Sequence, residues 1–440
     1  MALLAVAASA ATVGAHPGHD RNDRSMRFEL ATRVTPFPGG GYDPSVAVDA
    51  FGNVVVTASK DGATALASPD TGSTPPVRAA SWRSISVDDA KTWKNLPGLP
   101  AGADSLLPGL EPAVAIDGKG VVYVVDGYRV DLGVTAYDVR GRDRVSARTG
   151  APPVAPTARL DTRPFVAAQG DGHVVVISAA DPVDDPVAVG NAAGSGFGPG
   201  RYVAYTFRHG RITGPPTGYP LKNSSSCGIA ADPRRAATRL VVACLDGFGT
   251  LYSYVSDNHG ATFERYAVGR YVATDPRPGR PGVTIAPDGS IHLLLSEGVV
   301  FDGDAATATR LRLFSSRDGR RWALRDVTDV PGIYRQAAIS AAPDGRLGVA
   351  AYFRPNPRAP WNVVAGSLRP GERTVYLTAF DHDAPVAAGG QAEPPGSFLS
   401  LTWSAARRMH VAWTRTSAAV PGNNVPGGAL HEVWHSRSLP

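Results

Sequence analysis

Cysteine and long apolar segments are both scarce in this 440-residue sequence. The two cysteines are Cys227 and Cys244, and their spacing, with no histidine pair to complete a site, does not suit zinc. After residues 1–15, no apolar run approaches the length of about 18 residues that a membrane-spanning helix needs. Helical periodicity is absent beyond those first residues as well, which argues against a helical fold.

Lysine is scarce too, since only 5 of the 44 basic residues are lysine. The net charge of +5 is carried by scattered arginines, and no basic run is interleaved with aromatic residues. This pattern excludes nucleic acid as the expected partner. Abundant arginine beside alanine, glycine, proline and valine is typical of a GC-rich genome instead.

Glycine and proline are plentiful, with 49 and 38 residues, yet 43% of the chain is hydrophobic. Such a chain is rich in turns but is not disordered. A repeat explains the composition: a proline, a short apolar run, a glycine eight residues after the proline, and a second apolar run. Complete or degraded copies start near residues 44, 112, 164, 227, 281, 337 and 398.

Each copy predicts a strand, an Asp-Gly-type turn and a second strand, and a third strand follows in most units. The predicted third strands are residues 82–86, 202–207, 251–255, 311–315 and 374–378. Seven such units predict an all-β fold, a β-propeller with seven blades, with six blades as the alternative. Residues 26–34 alternate like a strand, and we expect them to close the ring as the outer strand of the last blade.

Three eight-residue segments share the pattern Ser-x-Asp-x-Gly-x-Thr-aromatic, with one or two departures each. They are residues 86–93, 256–263 and 315–322. The short polar side chain is expected to accept backbone hydrogen bonds, and the aromatic residue to fill the gap between neighbouring sheets. This pattern resembles the Asp-box, or BNR repeat, of sialidase-like β-propellers. In that family the boxes lie on the face away from the active site, so they indicate a fold and not a chemistry.

The start of the chain predicts export. Residues 1–15 are similar to the apolar part of a signal peptide, and the missing positive n-region is what a truncated signal peptide would show. Residues 16–25 are expected to form a disordered tail, and residues 26–440 a single propeller domain. His16 and His19 give the tail an alternative role in binding copper or zinc. Cys227 and Cys244 are expected to face each other across one hairpin as a disulfide, with two free core thiols as the alternative. We expect a secreted monomer without a cofactor, a bound metal or a membrane span.

In a propeller, the first strand of every blade begins at the same face, around the central channel. The residues just before the hairpin proline are therefore expected to form a ring: Asp43, Glu111, Arg163, Ser226, Arg280, Gln336 and Gly396. Five of the seven are charged or carboxamide residues. One interpretation is that the ring is a hydrated polar plug of the channel without a function. The other is that it forms a pocket for a small anionic or hydroxyl-rich ligand such as a sugar.

The sialidase resemblance implies specific roles. Family members hold a carboxylate with three arginines, attack with a tyrosine activated by a glutamate, and use an aspartate as acid and base. The nearest matches imply that Arg163, Arg280 and Arg335 bind substrate together with Glu111 and Gln336. Residues implied for catalysis are Asp43, Asp126, Glu297 and Tyr334, with Asp161 as a further acid. The family's Arg-Ile-Pro motif is absent, and Asp43 stands where its arginine is expected.

Two classes of function follow. The first is a secreted, glycan-directed hydrolase of the exo-sialidase kind, with a polysaccharide lyase as a variant. The second is a non-catalytic propeller that binds carbohydrate or protein outside the cell, because the fold alone does not determine function. Convergence of Arg163, Arg280 and an acidic residue in one pocket favours the enzyme or an anion binder, and outward-pointing side chains favour the binding scaffold.

Overall fold

Seven antiparallel sheets of four or five strands and one two-stranded sheet make up the described part of the protein in a computed structural model. The described residues are 25–35, 41–60, 81–96, 110–128, 131–140, 144–150, 158–170, 172–182, 201–208, 211–214, 218–222, 224, 226–234, 236–246, 249–271, 280–298, 301–302, 305–306, 309–328, 330–356, 359–382, 399–416 and 431–440. These ranges contain no helix, and so none that could cross a membrane. The all-β prediction is confirmed.

Each of the seven larger sheets is one blade, and its strands follow one another from the central channel outward. Blades 1 and 2 comprise Gly41–Val48, Val54–Lys60, Ser81–Ser86 and Lys94–Asn95, then Leu110–Ile116, Val121–Tyr128, Asp131–Arg140 and Arg144–Gly150. Blade 3 comprises Ala158–Ala168, His173–Pro182, Arg201–Arg208 and Arg211–Ile212, with Tyr219–Leu221 also paired to its third strand. Blade 4 comprises Ser226–Ala231, Leu240–Leu245, Thr250–Ser256 and Glu264–Arg270.

The remaining blades keep this order. Blade 5 comprises Gly282–Ile285, Ile291–Gly298, Thr309–Ser316 and Ala323–Asp326, and a small hairpin of Phe301–Asp302 and Ala305–Ala306 lies in the chain between its second and third strands. Blade 6 comprises Ile333–Ala341, Leu347–Arg354, Asn362–Leu368 and Thr378–His382. Blade 7 comprises Ser400–Trp403, Met409–Thr416, His431–Arg437 and the N-terminal Thr32–Arg33. Seven blades are therefore present, as the repeat predicts, and not six.

The two ends of the chain meet in blade 7. Thr32 and Arg33 pair with His435 and Trp434, and a further bridge joins Phe28 to Ser438. Residues 26–34 thus supply the outer strand that closes the ring, as predicted. Closure places the first strands inside the channel, so the outer strands are the sheet edges that another chain could reach.

Seven clusters of buried apolar residues hold the ring together, one at each seam between neighbouring blades. The seam between blades 7 and 1 is typical: Val46, Val54 and Val56 of blade 1 pack against Ala412 and Val433 of blade 7. Burial of apolar surface at about 25 cal/mol per Å² makes these seams the main source of stability. Each blade therefore depends on both neighbours.

The turn between the first and second strands recurs with the same chemistry. In blade 1, the Asp49 carboxylate accepts hydrogen bonds from the backbone N–H groups of Phe51 and Asn53, and Gly52 takes a φ of 85°. In blade 2, Asp117 and Gly120 repeat this arrangement. Since a positive φ is easily reached only by glycine, the periodic glycine marks the hairpin tip.

The eight-residue segments form the turns between the third and fourth strands of blades 1, 4 and 5. In the first, Ser86 Oγ accepts from the backbone of Ala90, and Asp88 accepts from the backbone of Thr92. The second turn uses Ser256 and Asn258 in the same way. In the third turn the equivalent serine is Ser316, which accepts from Gly319, so the predicted start at Ser315 is wrong by one residue.

Each of these turns ends in an aromatic residue that packs at a seam, as predicted. Trp93 lies against the cluster between blades 7 and 1, Phe263 within that between blades 3 and 4, and Trp322 against that between blades 4 and 5. The turn thus anchors its blade to the preceding one. Its polar atoms serve the backbone of the turn itself.

Blade 6 differs from the sequence prediction. Its third strand is Asn362–Leu368 and not the predicted residues 374–378, of which 374–377 lie outside any strand. The cause is the proline- and arginine-rich connection around residues 355–360, which hides the strand that follows.

Cys227 and Cys244 are directly paired neighbours in blade 4 and form the predicted disulfide.

Candidate functional site at the mouth of the central channel

Strand direction defines two faces of the molecule. The first strands begin, and the second-to-third-strand loops lie, on one face, which we call the mouth face. The hairpin turns and the eight-residue turns lie on the opposite face. Since the strands of each blade are antiparallel, this assignment follows from connectivity alone. The ring predicted from the sequence therefore belongs to the mouth face.

A cavity of about 180 Å³ occupies the central channel and touches all seven blades. Two successive residues of each first strand line it in the same register. They are Ser45 and Val46, Ala113 and Val114, Phe165 and Val166, Gly228 and Ile229, Gly282 and Val283, Ala338 and Ile339, and Ser400 and Leu401, with Arg280 and Pro281 beside them. Arg280 is the one charged residue in this lining of described residues.

Serine hydroxyls form hydrogen bonds between neighbouring blades along the inner wall of the channel. Ser400 Oγ accepts the backbone N–H of Val46 at 3.0 Å, and Ser45 Oγ accepts that of Val114 at 3.2 Å. Ser45 and Ser400 occupy the same register, so one hydrogen bond recurs at two successive seams. The hydroxyls satisfy backbone groups that the first strand would otherwise leave without a sheet partner.

Arg280 lies at the channel mouth, just before the first strand of blade 5. Its guanidinium carbon is 4.0 Å from the centre of the Phe165 ring, a cation–π contact across two blades. Burial lowers the pKa of Arg280 to about 10, and Tyr202 and Asp43 act in the opposite direction. The side chain is therefore cationic at neutral pH and lies within electrostatic reach of Asp43.

Asp43 is 4% exposed and has a φ of 53°, a left-handed conformation that is costly for a residue other than glycine. It lies in the irregular stretch of the blade 1 hairpin, where the register shifts between Tyr42 and Ser45. Its backbone N–H donates to Thr414 Oγ1 at 3.1 Å. Strained backbone of this kind clusters at functional sites, so the conformation supports a role for this residue.

Gln336 occupies the same ring position in blade 6 and repeats the strain. Its φ is 50°, and it lies in a register shift between Arg335 and Ala338. Arg335 is partly buried beside Arg354, and it is close enough to add to the burial that lowers the pKa of Arg354. Arg354 is itself stacked over Trp361 at 4.5 Å. Blade 6 thus brings two guanidinium groups close together.

Tyr334 is a core residue. It is 1% exposed, it belongs to the apolar cluster between blades 5 and 6, and its hydroxyl donates to the Val330 carbonyl at 2.8 Å. Its ring also contacts that of Phe353. A nucleophile needs access to substrate, so these contacts favour packing, and the catalytic role of Tyr334 stays a prediction.

Glu297 is held in an ion-pair network of blade 5. It pairs with Arg312 and lies 4.0 Å from Arg310, and both arginines also pair with Asp326. These partners lie on the third and fourth strands, which are the outer strands of the blade. The assignment of Glu297 as partner of Tyr334 stays a prediction.

Several predicted site residues have side chains outside the described part of the structure. The strands place the backbones of Glu111, Asp126, Asp161 and Arg163. Ser226 is buried at the start of blade 4, whereas Gly396 lies beyond the described ranges. The convergence of Arg163 with Arg280 therefore stays a prediction. Residues 1–24, which include the predicted signal peptide and most of the tail, also lie outside the described residues.

Four residues of the channel mouth were missed by sequence reasoning. Phe165 lies against Arg280 and Tyr202 acts on it electrostatically, while Thr414 bonds to Asp43 and Tyr352 bonds to Thr414. Phe165 had a signal, because it directly follows the hairpin proline, two residues after the ring position. The other three lie on second or third strands, where nothing in the sequence distinguishes them from ordinary core residues.

Comparison with known proteins finds similarity in fold and not in sequence. No protein-family model matches the chain, and no curated protein matches its sequence. A protein of unknown function from Dyadobacter fermentans DSM 18053 is 13% identical and has a TM-score of 0.53, over 94% of this chain and 98% of that one. This likeness shows the fold alone.

Two further solved structures are more distant. An α-L-arabinanase from Penicillium chrysogenum, complexed with arabinobiose, is 12% identical with a TM-score of 0.45, over 93% of this chain and 98% of that one. A mutant of NanB sialidase from Streptococcus pneumoniae is 11% identical with a TM-score of 0.44, over 94% and 70%. Nothing about the activity of this chain follows from either likeness.

Proposed function

We propose that this protein is a glycan-directed, sialidase-like β-propeller whose ligand site is the mouth of the central channel. One observation carries the proposal: a cationic Arg280 at the opening of the channel lies within electrostatic reach of a strained, buried Asp43, and the other described residues of the lining are small or apolar. Such a pair offers both donors and acceptors to a hydroxyl-rich ring, and Arg280 offers charge to a carboxylate. The three eight-residue turns are proposed to be degenerate Asp-boxes.

The finer proposal is exo-sialidase-like glycoside hydrolysis. In it, Arg280 holds the substrate carboxylate with Arg163 and Arg335, while Glu111 and Gln336 bind hydroxyl groups. Asp43 or Asp126 supplies the acid that protonates the leaving oxygen. The position of Asp43 beside Arg280 supports this assignment, and the burial of Tyr334 weighs against that residue as the nucleophile.

The alternative is a non-catalytic propeller that binds glycan or protein at the same mouth. The packing of Tyr334 and the ion pairing of Glu297 favour it, because both residues are engaged in structure. The two functions share the Arg280 site and differ only in turnover. One experiment therefore separates them.

The experiment measures binding and hydrolysis side by side. Isothermal titration with 3′-sialyllactose reports binding, and a fluorogenic sialoside reports turnover. We expect Arg280→Gln to weaken binding at least tenfold, because a charge-assisted bidentate contact is lost. Arg265→Gln is the matched control. Arg265 lies on the outermost strand of blade 4, far from the channel, and it also stacks on an aromatic ring, that of Tyr252.

The outcomes are distinct. Binding without turnover selects the non-catalytic propeller, and turnover that is lost in Arg280→Gln selects the hydrolase. Absence of binding by the parent protein, or equal binding by Arg280→Gln, contradicts the proposed site. Melting temperatures of the variants check that each one is folded.

Export completes the proposal: the protein acts outside the cell as a monomer, as one domain over residues 26–440. The Cys227–Cys244 disulfide supports an oxidising compartment, where such bonds persist. Recovery of the protein from the culture medium, with a first residue at His16, is the expected result. Retention of the full-length chain in the cytoplasm contradicts it.

A further inference from the structure

Asp43 needs a restraint to keep its backbone in the left-handed region. Non-glycine residues persist there only when their surroundings hold them. One such restraint is the hydrogen bond from the Asp43 N–H to Thr414 Oγ1, at 3.1 Å. It crosses from blade 1 to the second strand of blade 7, so it spans the seam at which the ring closes.

Thr414 is in turn held by Tyr352 of blade 6. The Thr414 N–H donates to the Tyr352 hydroxyl at 2.9 Å, and that hydroxyl lies 3.2 Å from the Thr414 carbonyl oxygen, to which it donates. Thr414 is 0% exposed and Tyr352 1%, so water does not compete for these bonds. A reciprocal pair of this kind fixes the threonine backbone and directs its hydroxyl.

The same tyrosine adjoins the other strained position. Tyr352 is the register partner of Arg335, directly before the irregular stretch that contains Gln336. Tyr352 therefore bonds through its side chain to Thr414, behind Asp43, and pairs through its backbone with the strand that carries Gln336. Three blades, 6, 7 and 1, are linked at this point.

We infer that Thr414 and Tyr352 are positioning residues for the ligand site at the channel mouth: they hold Asp43 in the conformation that faces the ligand. The inference rests on the proposed function of that mouth. Neither residue touches the ligand, and both act through the backbone of Asp43. Closure of the ring at the seam between blades 7 and 1 is then a condition for a formed site.

The test begins with the restraint itself, which needs no ligand. Thr414→Val keeps the branched shape and removes the acceptor, whereas Thr414→Ser keeps the hydroxyl. Hydrogen–deuterium exchange of the full chain is followed at the Asp43 amide. We expect exchange at this amide to rise at least tenfold in Thr414→Val and to remain near the parent rate in Thr414→Ser. Residues 110–116 of blade 2 are the internal control for general loosening.

The second arm uses 3′-sialyllactose as the probe. Affinity is expected to fall at least fivefold in Thr414→Val, to recover in Thr414→Ser, and to fall in Tyr352→Phe, which removes the hydroxyl behind Thr414. Unchanged exchange at Asp43 in Thr414→Val overturns the inference. Affinity that is equal in the Val and Ser variants overturns it as well.

Failure of the proposed function has a different signature. If the parent protein does not bind the probe while exchange at Asp43 responds to Thr414→Val, the restraint stands and the glycan proposal falls. If Thr414→Val also loosens blade 2, the threonine is a general structural residue and the positioning role is rejected. The exchange measurement at Asp43 is also made on Tyr352→Phe, which keeps the core volume and is therefore expected to fold.

Discussion

Opposite charges at Asp43 and Arg280 give the channel mouth its chemical character. Arg280 rests on the Phe165 ring, which covers one face of its guanidinium group. Asp43 is held in a backbone conformation that most residues avoid. Aspartate is one of the few residues besides glycine that adopt this conformation, and backbone of this kind clusters at functional sites.

Substitution at position 43 separates strain from function. Glycine reaches the φ of 53° freely and alanine does not, so Asp43→Gly is expected to be more stable than Asp43→Ala by about 1 kcal/mol. Both variants lose the carboxylate and should lose ligand binding equally. Urea unfolding measures the difference in the free energy of unfolding.

A matched control comes from the same strand. Ala47 does not have a positive φ, so glycine relieves no strain there. Ala47→Gly is expected to lower the free energy of unfolding, by about 1 kcal/mol. If glycine is the less stable choice at both positions, the left-handed conformation of Asp43 is wrong.

At the scale of elements, the eight-residue turns are self-contained hydrogen-bonding units. In blade 1, Asp88 accepts from the backbone and hydroxyl of Thr92, and Ser86 donates to it. Burial acts to raise the pKa of Asp88, but these hydrogen bonds outweigh it and lower the pKa to about 2. In blade 4, Asn258 fills the same position with an amide. The turn therefore requires a short acceptor and does not require a charge.

This comparison predicts unequal costs for two changes at Asp88. Asp88→Asn should retain most of the stability, because Asn258 performs the same task, and Asp88→Ala should lose about 1 kcal/mol. The folded pKa lies below the ordinary 3.8, so the charge contributes stability above pH 3.8 that is lost as the pH falls toward 2.

Chemical unfolding at pH 7 and at pH 3 measures both effects. The Asn variant should differ from the parent less at pH 3 than at pH 7. Equal losses for Asn and Ala at pH 7 would contradict the requirement for an acceptor.

Periodicity made these elements predictable from the sequence. The hairpin glycines and the serine–aspartate turns depend on local chemistry, which recurs in several blades and is visible in the residues themselves. The third strand of blade 6 was missed because Asn362–Leu368 follows a proline-rich connection and contains Gly366, a position where the backbone of Tyr376 approaches closely. The partners of Asp43 were not predictable, since Thr414 reaches it across 371 residues of sequence.

For the whole molecule, stability depends on the seam where the chain ends meet. Arg437 pairs with Glu29 of the closing segment and with Asp89 of blade 1, and Arg408 lies near both carboxylates. Behind this network, His410 and His435 are buried together, with 3.1 Å between Nδ1 of His410 and Nε2 of His435. Trp93 covers His435 from the turn of blade 1. Charge on either imidazole would therefore be placed in the interior of the closing blade.

Acid is consequently expected to weaken the ring at its closure. Burial, with Arg408 adding and Glu29 opposing, lowers the pKa of His410 to about 4, and burial and His410 hold the pKa of His435 well below 6.5. Both histidines are neutral in the folded protein, whereas the unfolded chain binds protons below pH 6.5. Stability is thus complete above pH 6.5 and falls as the pH is lowered from 6.5 toward 4, by at most about 2.7 kcal/mol per pH unit for two protons.

Melting temperature measured from pH 7.5 to pH 4.5 tests this expectation, with the double variant His410→Gln/His435→Gln as the comparison. The slope between pH 6.5 and 4.5 reports buried histidines, because the pKa of Glu29 is lowered, chiefly by its hydrogen bond to Arg437, from an ordinary value of 4.5. His292 of blade 5 adds to this slope in both parent and variant, since burial lowers its pKa to about 4. The double variant should lose most of that slope whatever its absolute stability. An equal slope in parent and variant would assign the acid sensitivity to other groups, and a flat parent profile would show that the pair is not buried in solution.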